Sequence, residues 1–529
     1  MTLIKLSLRF IIPLLAVIIA AEQSLSFPIN GDIGWLYFVT ENWLEGQELY
    51  SDILEVNPPM IFIIMSPAVL LSHFFELGTV AAIKIYLIII GLLALFLNIN
   101  MAKHLLSKSV FKDYYWVFIF LLYFVMPLND FGQRDHLLIL FIIPYFFLRF
   151  LSCNHKSDVS LWWQVLIGGT SGMVICLKPY FVLFPLACEL FWFYKQGREI
   201  RFGVVNIAQL MTVGLFILFI ILFQQAYIDN MIPLAIATYW TYGISLGSYD
   251  FSMYIFLFIV VCASTFICKD EGERQFIQYF CVMTVVALII FLAQAKYPYH
   301  LLPFEVMLYI TLFFSIMVTF KSWPDVARIR KYTEASYLYC FIGYFVFFMF
   351  NSSGLLCFLL LNKSLPTLDM MGYEFLDKSA KVINEGFSGE SIYVLSSNVW
   401  PSAFISAYTK SKWSSGFPAL WPLPAIDRYQ RLPESITLEQ QHNISKVKSF
   451  VTSKIKMEFH DESPVAIFVD TRNPLNYFLT DFNYVKYFES DEDLNEIFDG
   501  YIESDIQVEF FYGISYKVYI RRDYLISFK

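Results

Sequence analysis

Long apolar runs separated by short charged segments fill the first 361 residues of the chain. A helix crosses the hydrocarbon core of a bilayer with about 20 mostly apolar residues, and eleven segments approach that length. The pattern therefore predicts a polytopic α-helical membrane protein with about eleven transmembrane helices. The segments are approximately 8–26, 79–101, 114–128, 136–152, 160–177, 179–194, 203–226, 251–268, 275–294, 301–320 and 336–361.

The positions of Lys and Arg predict the orientation of these spans. If the spans alternate in direction, 16 of the 20 basic residues in 1–361 fall on the side that holds Lys5 and Arg9. Cytoplasmic loops carry such an excess, so we expect a cytoplasmic N-terminus. Residues 362–529 then lie outside, in the periplasm if the membrane is a bacterial inner membrane. Residues 10–21 also resemble the apolar core of a signal peptide; we favour a retained span, and cleavage would leave the other spans unchanged.

Charge divides the chain into two parts. Residues 1–361 hold 42 of the 82 formal charges, whereas the much shorter segment 362–529 holds the other 40. This contrast predicts a membrane-embedded domain at 1–361 and a water-exposed domain at 362–529. The net charge of −8 offers no basic excess for nucleic acid. The sequence requires no cofactor, and it leaves the use of a divalent metal open.

The first outer loop, 28–58, contains six carboxylates and no Lys or Arg. Its apolar residues recur at helical spacing, which predicts an amphipathic surface helix packed under the outer domain. Pro58 and Pro59 are expected to begin a second helix over 59–76. The predicted apolar face of the first helix comprises Ile33, Leu36, Tyr37, Thr40, Trp43 and Leu44.

Asp32 stands apart from the glutamates of this loop. It precedes the predicted helix, between Gly31 and Gly34, close to the expected bilayer surface. Aspartate is a good helix N-cap, and an uncovered carboxylate is also suited to act as a general base. The sequence favours neither interpretation over the other.

Four basic residues remain on the outer side, at membrane boundaries. Snorkelling of the side chain to the headgroups explains Lys84. Arg134, Lys178 and Lys296 instead stand beside proline, aromatic or histidine residues, and Arg and Lys are the side chains that bind phosphate. We therefore expect them to line a groove for a lipid phosphate. Neighbouring residues of the same loops are Asp135, His136, Pro179, Tyr180, Tyr297, Tyr299, His300 and Glu305; the tyrosines also suit an interfacial aromatic belt.

Sugar transfer from a lipid-linked phosphate to a hydroxyl needs only one general base and a few cations. A sugar joined through phosphate to a polyprenol already carries a good leaving group. Transfer to a hydroxyl then needs a base for the acceptor proton and cations for the departing phosphate.

These motifs, in this order, resemble the GT-C superfamily of polyprenyl-phosphate-sugar-dependent glycosyltransferases. The nearest branch is that of the protein O-mannosyltransferases and the lipid A aminoarabinose transferases. The resemblance covers 1–361, although this chain has Asp32-Ile33 where many members carry two adjacent acidic residues. It implies that Asp32 is the catalytic base and that Lys178 contacts the lipid phosphate. Residues implied to assist the phosphate contact are Arg134, Lys296 and His300. Possible supporting residues are Tyr50, Asp52, Pro58, Pro59, Asp135, Tyr299 and Glu305.

The segment 362–529 mixes strand and helix patterns, which predicts a small α/β domain. Strands are expected at 391–396 and 465–470, with a hairpin over 508–520 that turns at Gly513. Helices are expected near 401–409, 436–455 and 490–499, the last beginning at the acidic cluster Asp491–Asp493. The aromatic loops 397–401 and 413–418 are typical either of sugar stacking or of ordinary loop packing.

Taken together, the sequence predicts an inverting membrane glycosyltransferase that acts on the periplasmic side. The acceptor is a glycolipid, a polysaccharide or a protein. The alternatives are a polymerase or ligase of polyprenyl-linked glycans and, in another class, a transporter or lipid flippase. A transporter should show an internal repeat and ionisable residues at mid-membrane depth, whereas the chain shows no repeat and places its candidate residues at the outer rim.

Overall fold

The computed structural model describes residues 28–106, 112–154, 159–197, 202–294, 297–322, 374–431, 437–472, 477–478, 481–511 and 514–527. These residues form two compact units. The first comprises the described parts of Met1–Pro28, Leu87–Leu218 and Gly243–Pro366. The second comprises those of Ile29–Tyr86, Phe219–Tyr242 and Thr367–Lys529.

Helices make up most of both units. In chain order they are α1 (Gly31–Leu44), α2 (Met60–Phe75), α3 (Thr79–Leu106), α4 (Lys112–Phe124), α5 (Arg134–Cys153), α6 (Leu161–Ile175), α7 (Leu183–Lys195), α8 (Val204–Phe223), α9 (Ile232–Thr238), α10 (Ser252–Ile267), α11 (Glu271–Ala293), α12 (Leu302–Ser322), α13 (Glu374–Phe387), α14 (Trp400–Tyr408), α15 (Leu423–Arg431), α16 (Leu438–Glu462), α17 (Tyr484–Ser490) and α18 (Arg522–Ser527).

Five helical segments in the described part of the chain are long and apolar enough to cross a membrane. They are α3, α5, α8, α11 and Pro298–Thr319, which includes most of α12. Nine of the eleven predicted spans fall on described residues, and each coincides with a helix. The predicted spans 8–26 and 336–361 lie outside the described residues. The number of spans and their orientation stay predictions.

Aromatic side chains and close helix contacts build the first unit. Nearly every residue of α5 is buried, and Phe147 packs against Phe276, which in turn lies 4.5 Å from Phe314, ring centre to ring centre. A half-buried ion pair joins α5 to α7. The Arg149 guanidinium donates to both carboxylate oxygens of Glu189, over 2.8 and 2.6 Å, and Asn206 of α8 donates to the same carboxylate. These partners hold the Glu189 charge within the helix packing.

A five-stranded sheet organises the C-terminal part of the second unit. The strands are β1 (Ser391–Leu395), β2 (Lys412–Trp413), β3 (Ala466–Asp470), β4 (Tyr501–Phe511) and β5 (Ile514–Arg521), in the spatial order β2-β1-β3-β5-β4. Strand β1 is parallel to β2 and β3, whereas β5 is antiparallel to β3 and β4. The C-terminal segment therefore contains helices and a small mixed sheet.

Helix α1 packs against α14 of the same unit. A methyl group on Gly34 would lie 2.9 Å from the Ala403 side chain, and one on Gly31 would lie 3.0 Å from the Trp400 ring. The two glycines thus allow close helix contact. The predicted packing of this helix with segment 362–529 is therefore observed at α14. Trp35 and Val39, which lie off the predicted apolar face, are also buried, so the buried part of the helix is wider than predicted. The position on the membrane surface stays a prediction.

The predicted helix at 490–499 is wrong. Helix α17 begins after Asn483, whose side chain caps it by accepting from the Lys486 amide, and it ends at Ser490. The acidic cluster therefore follows a helix instead of starting one. The buried carboxylate of Asp491 pairs with Lys448 over 2.8 Å. Strand β4 begins at 501, earlier than predicted, and Gly513 lies outside the described residues.

Candidate functional site

The Lys178 side chain is buried at the start of a turn in the first unit. Pro179 disfavours helical geometry at the preceding residue, and Lys178 is accordingly extended, between α6 and a 3-10 turn at Pro179–Val182. Its ammonium group donates to Asp135 Oδ2 over 2.5 Å and to Gln294 Oε1 over 2.8 Å. The same group lies 5.4 Å from the centre of the Tyr299 ring. Lys178 thus joins the beginning of α5 to the end of α11.

Arg134 and Asp135 are the first residues of α5, and both are buried. A sharp turn brings them there, in which Gly132 adopts a φ of 93° that glycine tolerates well. The other carboxylate oxygen of Asp135, Oδ1, has no hydrogen-bond partner among the described residues. Asp135 therefore has the capacity to accept a further hydrogen bond.

His136 stabilises this turn. Its Nδ1 accepts from the Gly132 amide over 2.9 Å, and its Nε2 lies 2.8 Å from the Tyr123 carbonyl oxygen, to which it donates. One acceptor and one donor nitrogen correspond to a neutral imidazole. The histidine thus fixes the backbone just before Arg134 and is not available for a ligand.

His300 has a different environment. It is buried in the 3-10 turn Pro298–Leu301, and its ring lies 4.2 Å edge-on from Tyr299. The charges of Lys178 and Arg134 both act on this imidazole. Its Nδ1 has no hydrogen-bond partner among the described residues. Buried polar atoms are rarely left unsatisfied, so each one requires a physical reason. In the tautomer that carries the proton on Nδ1, this nitrogen can donate a hydrogen bond to an anion beside the two cations.

The structure therefore brings together Arg134, Lys178, His300, Tyr299 and Asp135 of the predicted site. Gln294, which the sequence did not single out as a site residue, joins them. Lys296 lies outside the described residues. Glu305 accepts a hydrogen bond from the Tyr254 hydroxyl, so α12 is tied to α10 at that position.

Asp32 belongs to the second unit, in the first turn of α1. The interpretation of Asp32 as the N-cap is wrong, because Asn30 is the cap and its side chain accepts from the Asp32 amide over 2.9 Å. The first backbone amides of a helix have no partner within the helix, and the Asn30 side chain is better placed than that of Asp32 to accept from them. The Asp32 side chain itself is half-buried in this first turn.

The other predicted supporting residues of the first loop shape its backbone. The buried Tyr50 has a φ of 70° and donates to the Asn57 carbonyl oxygen over 2.8 Å. Asp52 accepts from the Glu48 amide over 2.9 Å. Pro58 and Pro59 precede α2, as predicted. These contacts define the conformation of the loop that follows α1.

The sequence did not single out Glu458, a buried carboxylate on α16. It accepts from the Gly416 amide over 2.8 Å, from the Tyr393 hydroxyl over 2.9 Å and from the Ser415 hydroxyl over 3.1 Å. Burial raises the pKa of Glu458 to about 7, although these donors act in the opposite direction. In the same unit, the Gly416 carbonyl oxygen accepts from the Leu54 amide over 2.7 Å. Glu458 therefore supports the loop that holds the end of the first outer loop.

Within the described ranges, no group of three or more His, Cys, Asp or Glu side chains is placed to hold a metal ion. No protein-family model matches the chain, and no curated protein matches its sequence. A function for this chain is therefore supported by the contacts around Lys178 and by the chemistry of the residues that make them.

Proposed function

We propose that the protein is an integral membrane glycosyltransferase. It moves a sugar from a polyprenyl-phosphate donor to a hydroxyl of a glycolipid, polysaccharide or protein acceptor on the periplasmic side. The observation that carries the proposal is the buried cluster of Lys178, Arg134 and His300, with an imidazole nitrogen that has no hydrogen-bond partner in the described structure.

Buried basic groups are favourable sites for anions. Charge in a low-dielectric interior is costly unless it is paired, and intramembrane ionisable residues commonly mark substrate pathways. Asp135 pairs with Lys178, and Arg134 and His300 add a guanidinium and an imidazole beside that pair. Arg can bind two phosphate oxygens at once, and Lys acts as a compact point charge. A phosphate monoester or diester fits this set better than a neutral ligand.

Asp135 and Gln294 position the Lys178 ammonium. A lysine side chain loses considerable rotamer freedom when it is fixed, and two acceptors hold Lys178 before substrate arrives. Such preorganisation lets a cation stabilise charge that develops on a leaving group without further rearrangement. Asp135 is thus a positioning residue in this proposal.

Asp32 would act as the general base. It would take the proton from the acceptor hydroxyl while the hydroxyl oxygen attacks the anomeric carbon. The bond from that carbon to the phosphate oxygen breaks in the same step, with inversion, and polyprenyl phosphate leaves with the electron pair. The cations stabilise the charge on the departing phosphate, so no acid is needed for the leaving group.

Donor binding and sugar transfer by the purified full-length chain test this proposal. Lys178→Ala should lose donor affinity by about tenfold or more, because one charge-assisted phosphate contact is removed. Lys195→Ala is the control, since Lys195 is an exposed cation of the same unit. Equal donor affinity in the two variants would contradict the phosphate site. Movement of labelled lipid without sugar transfer would favour a flippase instead.

A further inference from the structure

The second unit carries an exposed apolar helix face at α9. A π-helical turn at Tyr227–Met231 leads directly into α9. Ile232 and Ile236 are four residues apart in α9 and therefore lie on one face, and Ile228 precedes them in the π-helical turn. All three are exposed, as are Tyr239 and Trp240, which follow the helix.

The opposite face of this segment is occupied. Met231, Leu234 and Thr238 are buried, and α9 packs against α15 and α16 of the same unit. The exposed isoleucines are thus the remaining face of a helix that is otherwise packed on protein. An exposed apolar face of this kind marks an interaction surface.

Composition and chain continuity indicate what covers this face. Just before it, Ile221, Leu222 and Phe223 at the end of the long apolar helix α8 are also exposed. Isoleucine followed by Tyr and Trp is the order found where a helix passes from hydrocarbon to the headgroup region. Segment 204–242 contains no Lys or Arg, so we expect its contact with lipid to be apolar.

Trp240 is held in a defined position. Its indole N–H donates to the Ala237 carbonyl oxygen over 2.7 Å, and the Arg428 guanidinium lies 5.6 Å from its ring centre. An aromatic ring fixed beside a charged group suits the boundary between lipid and water, where one side of the ring is apolar and the other wet.

We infer that residues 228–240 form an interfacial segment whose apolar face lies at the boundary between headgroups and acyl chains of the bilayer. Helices α15 and α16 pack on its other face, so this segment holds the C-terminal part of the second unit at the membrane surface. The partner is the lipid itself, through apolar and aromatic contact. The lipid contact is independent of the transferase reaction and requires only that the protein is membrane-embedded.

Photo-crosslinking to lipid tests this surface in the full-length chain. Benzoylphenylalanine replaces Ile236, which is 75% exposed, and in a second variant Ile232. The control replaces Ile502, which is 45% exposed on β4 of the same unit. Each variant is reconstituted in nanodiscs of phosphatidylcholine, and separately in nanodiscs that also contain phosphatidylglycerol. Lipid adducts are counted by intact mass spectrometry after illumination.

We expect lipid adducts at positions 236 and 232 to exceed those at 502 by about fivefold or more, because an interfacial face inserts into the acyl boundary. The yield should be the same with and without phosphatidylglycerol. Equal yields at 236 and 502, or crosslinks from 236 to a second copy of the chain, would overturn the inference. A yield that rises with phosphatidylglycerol would contradict the apolar mode of contact.

Discussion

The ammonium group of Lys178 lies 2.5 Å from the carboxylate of Asp135, and both side chains are buried. Two segments distant in sequence, the turn before Pro179 and the beginning of α5, are joined by this pair. Removing one partner leaves a buried charge without its counter-ion, which typically costs about 3–5 kcal/mol, whereas replacing both partners with apolar residues is often neutral.

A double-mutant cycle follows from this pair. Lys178→Met and Asp135→Leu should each lower the thermal stability of the detergent-purified protein. The double variant should be more stable than the sum of the two single losses indicates, because neither charge is left alone. Melting temperatures monitored by intrinsic fluorescence measure the effect. Strictly additive losses would show that the two groups do not interact energetically.

Gly416 should tolerate no side chain. A methyl group there would lie 2.3 Å from the Asp52 carbonyl oxygen, a backbone atom of the same unit. Gly416→Ala should therefore displace the segment around Asp52, disturb the hydrogen bond from Leu54 and cost about 2 kcal/mol or more. Gly500→Ala is the matched control, since nothing lies within 4 Å of the added group. Protease susceptibility of the first outer loop reports the change. Equal susceptibility of the two variants would contradict the contact.

Glu458 should make the second unit less stable as the pH rises. Its pKa is raised to about 7 in the folded protein, against about 4.3 for an ordinary glutamate. The folded state thus holds the proton more tightly, so this stabilisation is present below about pH 4 and is lost as the pH rises through about 7. The full effect is about 4 kcal/mol.

Unfolding measured between pH 5 and 8 tests this dependence. Glu458→Gln cannot titrate, so it should show a flatter pH profile than the unchanged chain. Glu462→Gln, an exposed change on the same helix, should leave the profile as it is. Identical profiles for all three proteins would exclude Glu458 as the titrating group.

Two glycines set the approach of α6 to α8 in the first unit. A methyl group on Gly168 would lie 2.4 Å from the Val205 carbonyl oxygen, and one on Gly172 would lie 2.8 Å from Thr212 Cβ. Small residues four apart allow such close packing of membrane helices. Gly168→Ala should lower the melting temperature, whereas Gly214→Ala, with no atom within 4 Å, should not. Alanine is the better helix former at both positions, so a similar loss in both variants would contradict the role assigned to the helix contact.

The sequence predicted the helices of the first unit well because long apolar runs allow little else. It also predicted that Arg134, Lys178 and His300 share one environment, since each is a polar residue at the end of an apolar run. Gln294 was missed because a glutamine at a helix end carries no distinctive pattern. Glu458 was missed for a related reason. The sequence of its helix is polar and has no distinctive pattern, and only the contacts with Tyr393 and Gly416 show that this carboxylate is buried.

The C-terminal segment was harder to predict. Charged residues at Glu503 and Asp505 interrupt the apolar alternation of β4, so only its second half was recognised. Helix α17 begins after Asn483 and not at the acidic cluster, because the Asn483 side chain accepts a hydrogen bond from a backbone amide in the first turn. Side-chain capping also determines where α1 begins, since Asn30 and not Asp32 is the cap of that helix.

Asp32 is proposed as the base of a sugar transfer whose donor phosphate is bound by the Lys178 cluster. Single-turnover transfer from a labelled polyprenyl-phosphate sugar tests this role most directly, with donor affinity measured on the same samples. Asp32→Asn should lower the transfer rate by about 100-fold or more, as expected for loss of a general base, while donor affinity stays unchanged. Full transfer by this variant would contradict the account.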